Sequence, residues 1–146
     1  RSQRMRAIMT ITYDSVNVGD LLPDHLSPLV SRHVLALFCG ASADHNPMHV
    51  DSDFAQSFGM PDVFAHGMLS MAYLAQLLTR WVPQSHLREW NARFLSITPV
   101  NVRVKCTGTV VEKFEADGER RVRLHINAHT DGGAHTLAGE AVIALN

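Results

Sequence analysis

Several protein classes are excluded by what this chain has little of. Its only cysteines, Cys39 and Cys106, have no close spacing or framework, so reduced thiols in a cytoplasmic protein are expected. No stretch approaches the ~20 apolar residues of a membrane span, and no apolar segment of the secretory kind stands near the N-terminus. Neither sign of charge prevails: 13 basic against 14 acidic residues leave a formal charge of −1. That balance lacks the basic footprint of a nucleic-acid binder. A Gly-x-Ser-x-Gly elbow, a phosphate-binding loop and a dinucleotide fingerprint are all missing. With no repeat and no linker, residues 1–146 read as one domain, large enough to bury roughly 68–70% of the unfolded surface. Arg1-Ser2-Gln3-Arg4 ahead of Met5 reads as a leader, so residues 1–6 are expected to be disordered and stay outside the fold reasoning.

What the chain does have is a change of period along its length. Ile8, Ile11, Tyr13 and Val16 suggest a short strand over 7–17, ending at Gly19-Asp20, and Pro23 and Pro28 mark a loop. Ser31 caps a helix over 32–39, with Gly40 as its stop. Asp51 or Ser52 caps a second short helix, closed by Gly59 and Pro61. Residues 67–81 then turn apolar on nearly every side, which predicts a buried central helix about 22 Å long, ended by Pro83. Beyond it, 90–98 is β-rich, Val102, Val104 and Cys106 alternate with polar residues, and Asp117-Gly118 and Asp131-Gly132-Gly133 are turns between further alternating strands. One buried helix and about four antiparallel strands predict an α+β fold. A single curled sheet leaves open edges, which a two-fold dimer would pair.

The chemistry concentrates between positions 44 and 67. Asp44 and His49 flank a turn stiffened by Pro47, and a carboxylate and an imidazole facing one water can activate it and move a proton in the same step. Capping and backbone hydrogen bonding would explain the same two residues without catalysis. His45 and His49 are four apart, but Pro47 between them argues against a zinc helix; Asp44, His49, Asp51 and His66 remain a possible ligand set of lower rank. His66-Gly67 opens the central helix, where an uncovered backbone N–H favours developing negative charge, such as a thioester oxyanion. Gly67 could equally serve close packing, and His66 could be a satisfied core-edge histidine. Met68 and Met71 read as core, lining an acyl tunnel at one side.

Ser42-Ala43-Asp44-His45-Asn46-Pro47-Met48-His49, followed by Ala65-His66-Gly67-Met68-Leu69, resembles the hydratase motif of the MaoC-like family. The likeness runs from Val16 to the end of the chain. That family includes (R)-specific enoyl-CoA hydratases and (3R)-hydroxyacyl-ACP dehydratases, and the spacing Phe94–Pro99-Val100 is similar to the catalytic subunit of the mycobacterial-type heterodimer. The resemblance implies a hot-dog fold, with a long central helix wrapped by a curved antiparallel sheet. It implies that Asp44 and His49 form the catalytic pair, that Gly67 N–H polarises the carbonyl, and that Asn46 shapes the turn. His66, Met68 and Met71 would lie on the substrate side. Neither metal nor cofactor is implied; the partners are an acyl-CoA or acyl-ACP thioester and a second subunit, in a homodimer or a heterodimer. Two departures stand out: Ala43 replaces the family's usual Gly before the Asp, and Asn101 stands where a Gly-Asp turn is common.

The alternatives are a hot-dog thioesterase and a non-catalytic acyl-binding or partner subunit. The absence of Asp and Glu between Gly67 and Trp81 counts against the first, and retention of both Asp44 and His49 against the second.

Overall fold

A computed structural model describes residues 10–145. The apolar run becomes helix α3 (Gly67–Trp81), the span its composition predicts. The strand segments become β2 (Leu87–Phe94), β3 (Val104–Ala116), β4 (Glu119–Thr130) and β5 (His135–Ala144). A two-residue strand that sequence did not suggest, β1 (His25–Leu26), pairs with β3. All pairings are antiparallel, in the order β1-β3-β4-β5-β2. This five-stranded sheet curved around one helix is the hot-dog arrangement.

The turns follow their residues. Asp117 and Gly118 both take positive φ, 53° and 74°, as a tight hairpin between right-twisted strands demands. Leu74, Leu77 and Leu78 on the helix and Leu124, Ile126, Leu137 and Ile143 on the sheet are almost wholly buried. Gly108 on β3 lets the helix approach, since a Cβ there would meet Leu77 at 3.3 Å. Arg88 ties the start of β2 to the β3–β4 hairpin through Glu119, whose carboxyl is held down to about 2 by its hydrogen bond to Arg88, with Arg121 adding to the effect.

Four expectations are corrected. The segment over 7–17 is no strand in its described part: Tyr13–Ser15 form a 3-10 turn, and residues 7–9 lie outside the described residues, as does the leader. Gly40 does not stop the first helix; α1 (Arg32–Ser42) continues to Ala43, whose left-handed backbone ends it. Helix α3 is not buried all round, because one sheet covers one side and leaves Met68, Ala72, Gln76, Thr79 and Arg80 exposed. Asn101 does not lead straight into a strand at Val102. It makes a left-handed turn (φ 64°), Val102 only bridges to Val30, and β3 starts at Val104. No helix among the described residues is long and apolar enough to cross a membrane.

Candidate active site

The site is built where α1 ends, and Ala43 makes that end. Its φ of 59° reverses the chain and delivers Asp44 exposed at the head of the turn. Ser42 Oγ accepts from Asp44 N–H at 3.2 Å, and Asn46 Oδ1 accepts from Met48 N–H at 3.0 Å, starting the 3-10 turn Pro47–His49. Asn46 thus caps this turn. Left-handed backbone costs a residue with a Cβ about 1–2 kcal/mol, and glycine's extra unfolded-state entropy offsets about 0.5–1 kcal/mol of that. Ala43→Gly is expected to raise the melting temperature by about 1–4 °C, read by thermal unfolding.

His49 is nearly buried, at 8% exposure, and its Nδ1 lies 2.8 Å from the Phe64 carbonyl. A carbonyl only accepts, so Nδ1 carries the proton and Nε2 presents its lone pair. His66 is fully enclosed. Its Nε2–H donates to the Asp44 carbonyl at 3.2 Å, its ring stacks on His49 with centroids 4.0 Å apart, and Phe38 packs at 4.8 Å. Its Nδ1 is buried without a hydrogen-bond partner among the described residues. Asp44, His49 and His66 each bring one polar side-chain atom to within 4.8 Å of the others. That oxygen-and-nitrogen set could hold a divalent ion. Asp51 does not join it, because its carboxylate caps α2 (Ser52–Ser57) by accepting from Phe54 N–H at 3.0 Å. His45 is exposed and outside the cluster.

Burial and, next, the charge of His49 lower the pKa of His66 below the ordinary histidine value. Burial and then His135 do the same for His129. An unfolded chain protonates these rings below about pH 6.5, whereas the folded one resists. The unfolded state thus binds more protons there, so stability falls as pH drops below about 6.5 and levels off once the folded-state rings also protonate. Urea midpoints between pH 7.5 and 5.5 should fall in the wild type and fall less steeply in His66→Gln.

Gly67 is the first residue of α3, where N–H groups have no intrahelical acceptor, and the cap residue His66 offers no side-chain acceptor. Beside it lies a cavity of about 350 Å³, lined by Phe64, Ala65, Gly67 and Ser70 on one side and by Phe94, Ile97, Thr98 and Leu137 on the other. Met68, 58% exposed, and Met71, packed against the core, are not in that lining; the helix contributes Gly67 and Ser70 instead. Sequence reading missed the Phe64 carbonyl, the buried Ser70–Thr98 hydroxyl pair (3.1 Å) and Phe94 as a wall. Only Phe94 left a signal, in its spacing to Pro99-Val100.

An Asp–His turn set against the start of a helix that a curved sheet enfolds defines a hot-dog domain of the kind the sequence resembles. The chain belongs to the MaoC-like family, since the MaoC like domain matches residues 14–131. Among characterised relatives, an (R)-specific enoyl-CoA hydratase of Rhodospirillum rubrum is 29% identical over 120 residues, covering 82% of this chain and 83% of that protein. The fatty acid synthase beta subunit TOXC of Cochliobolus carbonum is 30% identical over 112 residues, 73% of this chain; the match spans 5% of that much longer protein. In three dimensions the chain superposes on the R-hydratase PhaJ1 of Pseudomonas aeruginosa with a TM-score of 0.81 at 27% identity, covering 93% of this chain and 86% of the other. The (R)-hydratase of A. caviae gives 0.77 at 25%, covering 90% and 98%.

Proposed function

We propose that the protein is a hydro-lyase that interconverts trans-2-enoyl thioesters and (3R)-3-hydroxyacyl thioesters. The observation that carries this reading is the meeting of Asp44 and His49 with His66, the cap residue of α3, while Phe64 links the His49 ring to the cavity beside Gly67. In the hydration direction Asp44 orients water and takes its proton as the oxygen attacks Cβ; that proton passes to the Nε2 lone pair of His49, which delivers it to Cα and returns to its starting state. The Gly67 N–H, reinforced by the helix dipole, stabilises the oxyanion as charge moves onto the thioester oxygen. His66 is assigned a supporting part, fixing the Asp44 backbone and backing the His49 ring. The named hydratases that this chain matches over most of their length support the same assignment. Both CoA and carrier-protein thioesters are within the proposal.

Loss of the conjugated enoyl thioester absorbance on mixing with crotonyl-CoA, and recovery of the (3R) product by chiral chromatography, test it. The reading predicts turnover undiminished by a chelator. No absorbance change across enoyl-CoA and enoyl carrier-protein substrates of graded length would overturn it.

A second subunit belongs to the proposal. Among the described residues strand β2 is a sheet edge with only β5 beside it, and Phe94, Leu95 and Ile97 at or beyond its end are each about half exposed. Joining two copies along β2 would pair that edge and cover those side chains. Mass photometry should show twice the 16.2 kDa chain mass. A stable monomer at micromolar concentration would sink the homodimer and leave a different partner chain to supply the edge.

A further inference from the structure

We propose that Phe94 determines acyl specificity by restricting bulk at Cα, so that the site takes α-unbranched enoyl thioesters and turns away α-methyl ones. This rests on the hydratase reading and adds a residue which that reading does not use. The ring of Phe94 lies directly against the Cα of Gly67: a Cβ on Gly67 would sit 2.9 Å from Cε1, 3.3 Å from Cδ1 and 3.4 Å from Cζ. Both residues line the cavity, at the end where the helix begins. The ring's base is well anchored, because Phe94 closes β2 opposite Leu137 and Leu95 N–H donates to the Thr136 carbonyl at 2.8 Å. Its side wall is therefore a built part of the cavity.

The consequence follows from bond lengths. A thioester oxygen held by Gly67 N–H lies about 2.9 Å from that nitrogen, which brings the carbonyl carbon and its two substituents alongside the ring. One substituent is sulfur, present in every substrate. The other is Cα, so any additional group there meets Phe94, while a linear chain runs past it towards the Asp44–His49 side. A misplaced methyl group in a mainly apolar pocket costs on the order of 10–200-fold in kcat/KM. The same contact gives Gly67 a second reason to be glycine: its N–H must be reachable, and its Cα must accept an aromatic face.

The test compares crotonyl-CoA with 2-methylcrotonyl-CoA as substrates, and butyryl-CoA with 2-methylbutyryl-CoA as ligands by calorimetry, in wild type, Phe94→Ala and Phe94→Leu. The wild type should favour the unbranched member of both pairs, and Phe94→Ala should narrow each preference by about tenfold, with Phe94→Leu between. Gly67→Ala should impair crotonyl-CoA turnover, and Gly67→Ala/Phe94→Leu should recover part of it. Sedimentation confirms that each variant keeps the wild-type assembly; if Phe94→Ala does not fold, Phe94→Leu carries the comparison. Unchanged ratios in a folded, active variant overturn the inference and leave the hydratase reading standing. An inactive wild type that still discriminates between the saturated pair in a Phe94-dependent way sinks the hydratase reading and supports the wall. A wild type that turns over no enoyl thioester and binds neither saturated ligand overturns both.

Discussion

Replacing Asp44 by Asn is expected to lower crotonyl-CoA hydration by about 10²–10⁴-fold, the range for removing a positioned acid–base group. The melting temperature should barely move, because the Asp44 side chain is exposed and its only hydrogen bond among the described residues is a long one, 3.4 Å, from Asn46 N–H. His49→Ala should lose activity to a similar degree but with a different stability signature. It strips the Phe64 carbonyl of its donor and opens space under a nearly buried ring, at a cost of about 1–3 kcal/mol. Because the two groups act on one water and one proton transfer, the double variant should be hardly less active than either single one. Turnover retained by folded Asp44→Asn would remove the carboxylate from the mechanism.

The largest stability effect is expected far from those groups. Gly139 on β5 faces Ala92 of β2 so closely that a Cβ would collide with the Asn91 carbonyl oxygen and lie 2.8 Å from its carbon. Those atoms are backbone and cannot swing aside as a side chain would. Gly139→Ala must push β2 away from its neighbour, and about 3 kcal/mol or more of destabilisation is expected, at the upper end for overpacking. Thermal unfolding should drop by roughly 6–12 °C. The disturbance should reach the cavity, because Phe94, Ile97 and Thr98 hang from the end of that strand. A Gly139→Ala protein with wild-type stability would mean that β2 is not held where the structure puts it.

The helix and the hairpins were legible in sequence because their causes are local. An apolar run bounded by Gly67 and Pro83 fixes α3, and Asp117-Gly118 fixes a hairpin, without help from distant residues. The closeness of Asp44, His49 and His66 was legible for the same reason, being a turn plus a helix cap within a short span. Most features that reading missed depend on long-range approach. The tiny β1 is set by what β3 offers alongside it, with Leu22 N–H to Gly108 O and Ser27 N–H to Val104 O on either side, while the Tyr13–Ser15 turn closes on Thr12 and is held by Lys113 Nζ of β3 on the Tyr13 and Val16 carbonyls. Gly40 looked like a helix stop because glycine often is one; the stop falls on Ala43, a residue type that gives no hint of left-handed backbone. Met68 and Met71 looked like tunnel walls from apolarity alone, yet only the packed sheet decides which helix face sees the cavity.

The strand order also governs when the site can come into being. Asp44, His49 and the whole of α3 precede residue 82 in the chain, but β1 waits for Cys106, and β2 cannot dock until β5 supplies Leu137 to Ile143. At a synthesis rate of about 5–20 residues per second, roughly 3–13 s separate the emergence of α3 from that of the last strand. During that interval an intact set of reactive groups sits on a helix whose leucines have nothing to cover them. A nascent chain arrested near residue 100 should therefore carry every proposed catalytic residue, bind chaperones and have no catalytic activity. Release of the C-terminal strand, rather than formation of the turn, would then be the event that switches the enzyme on.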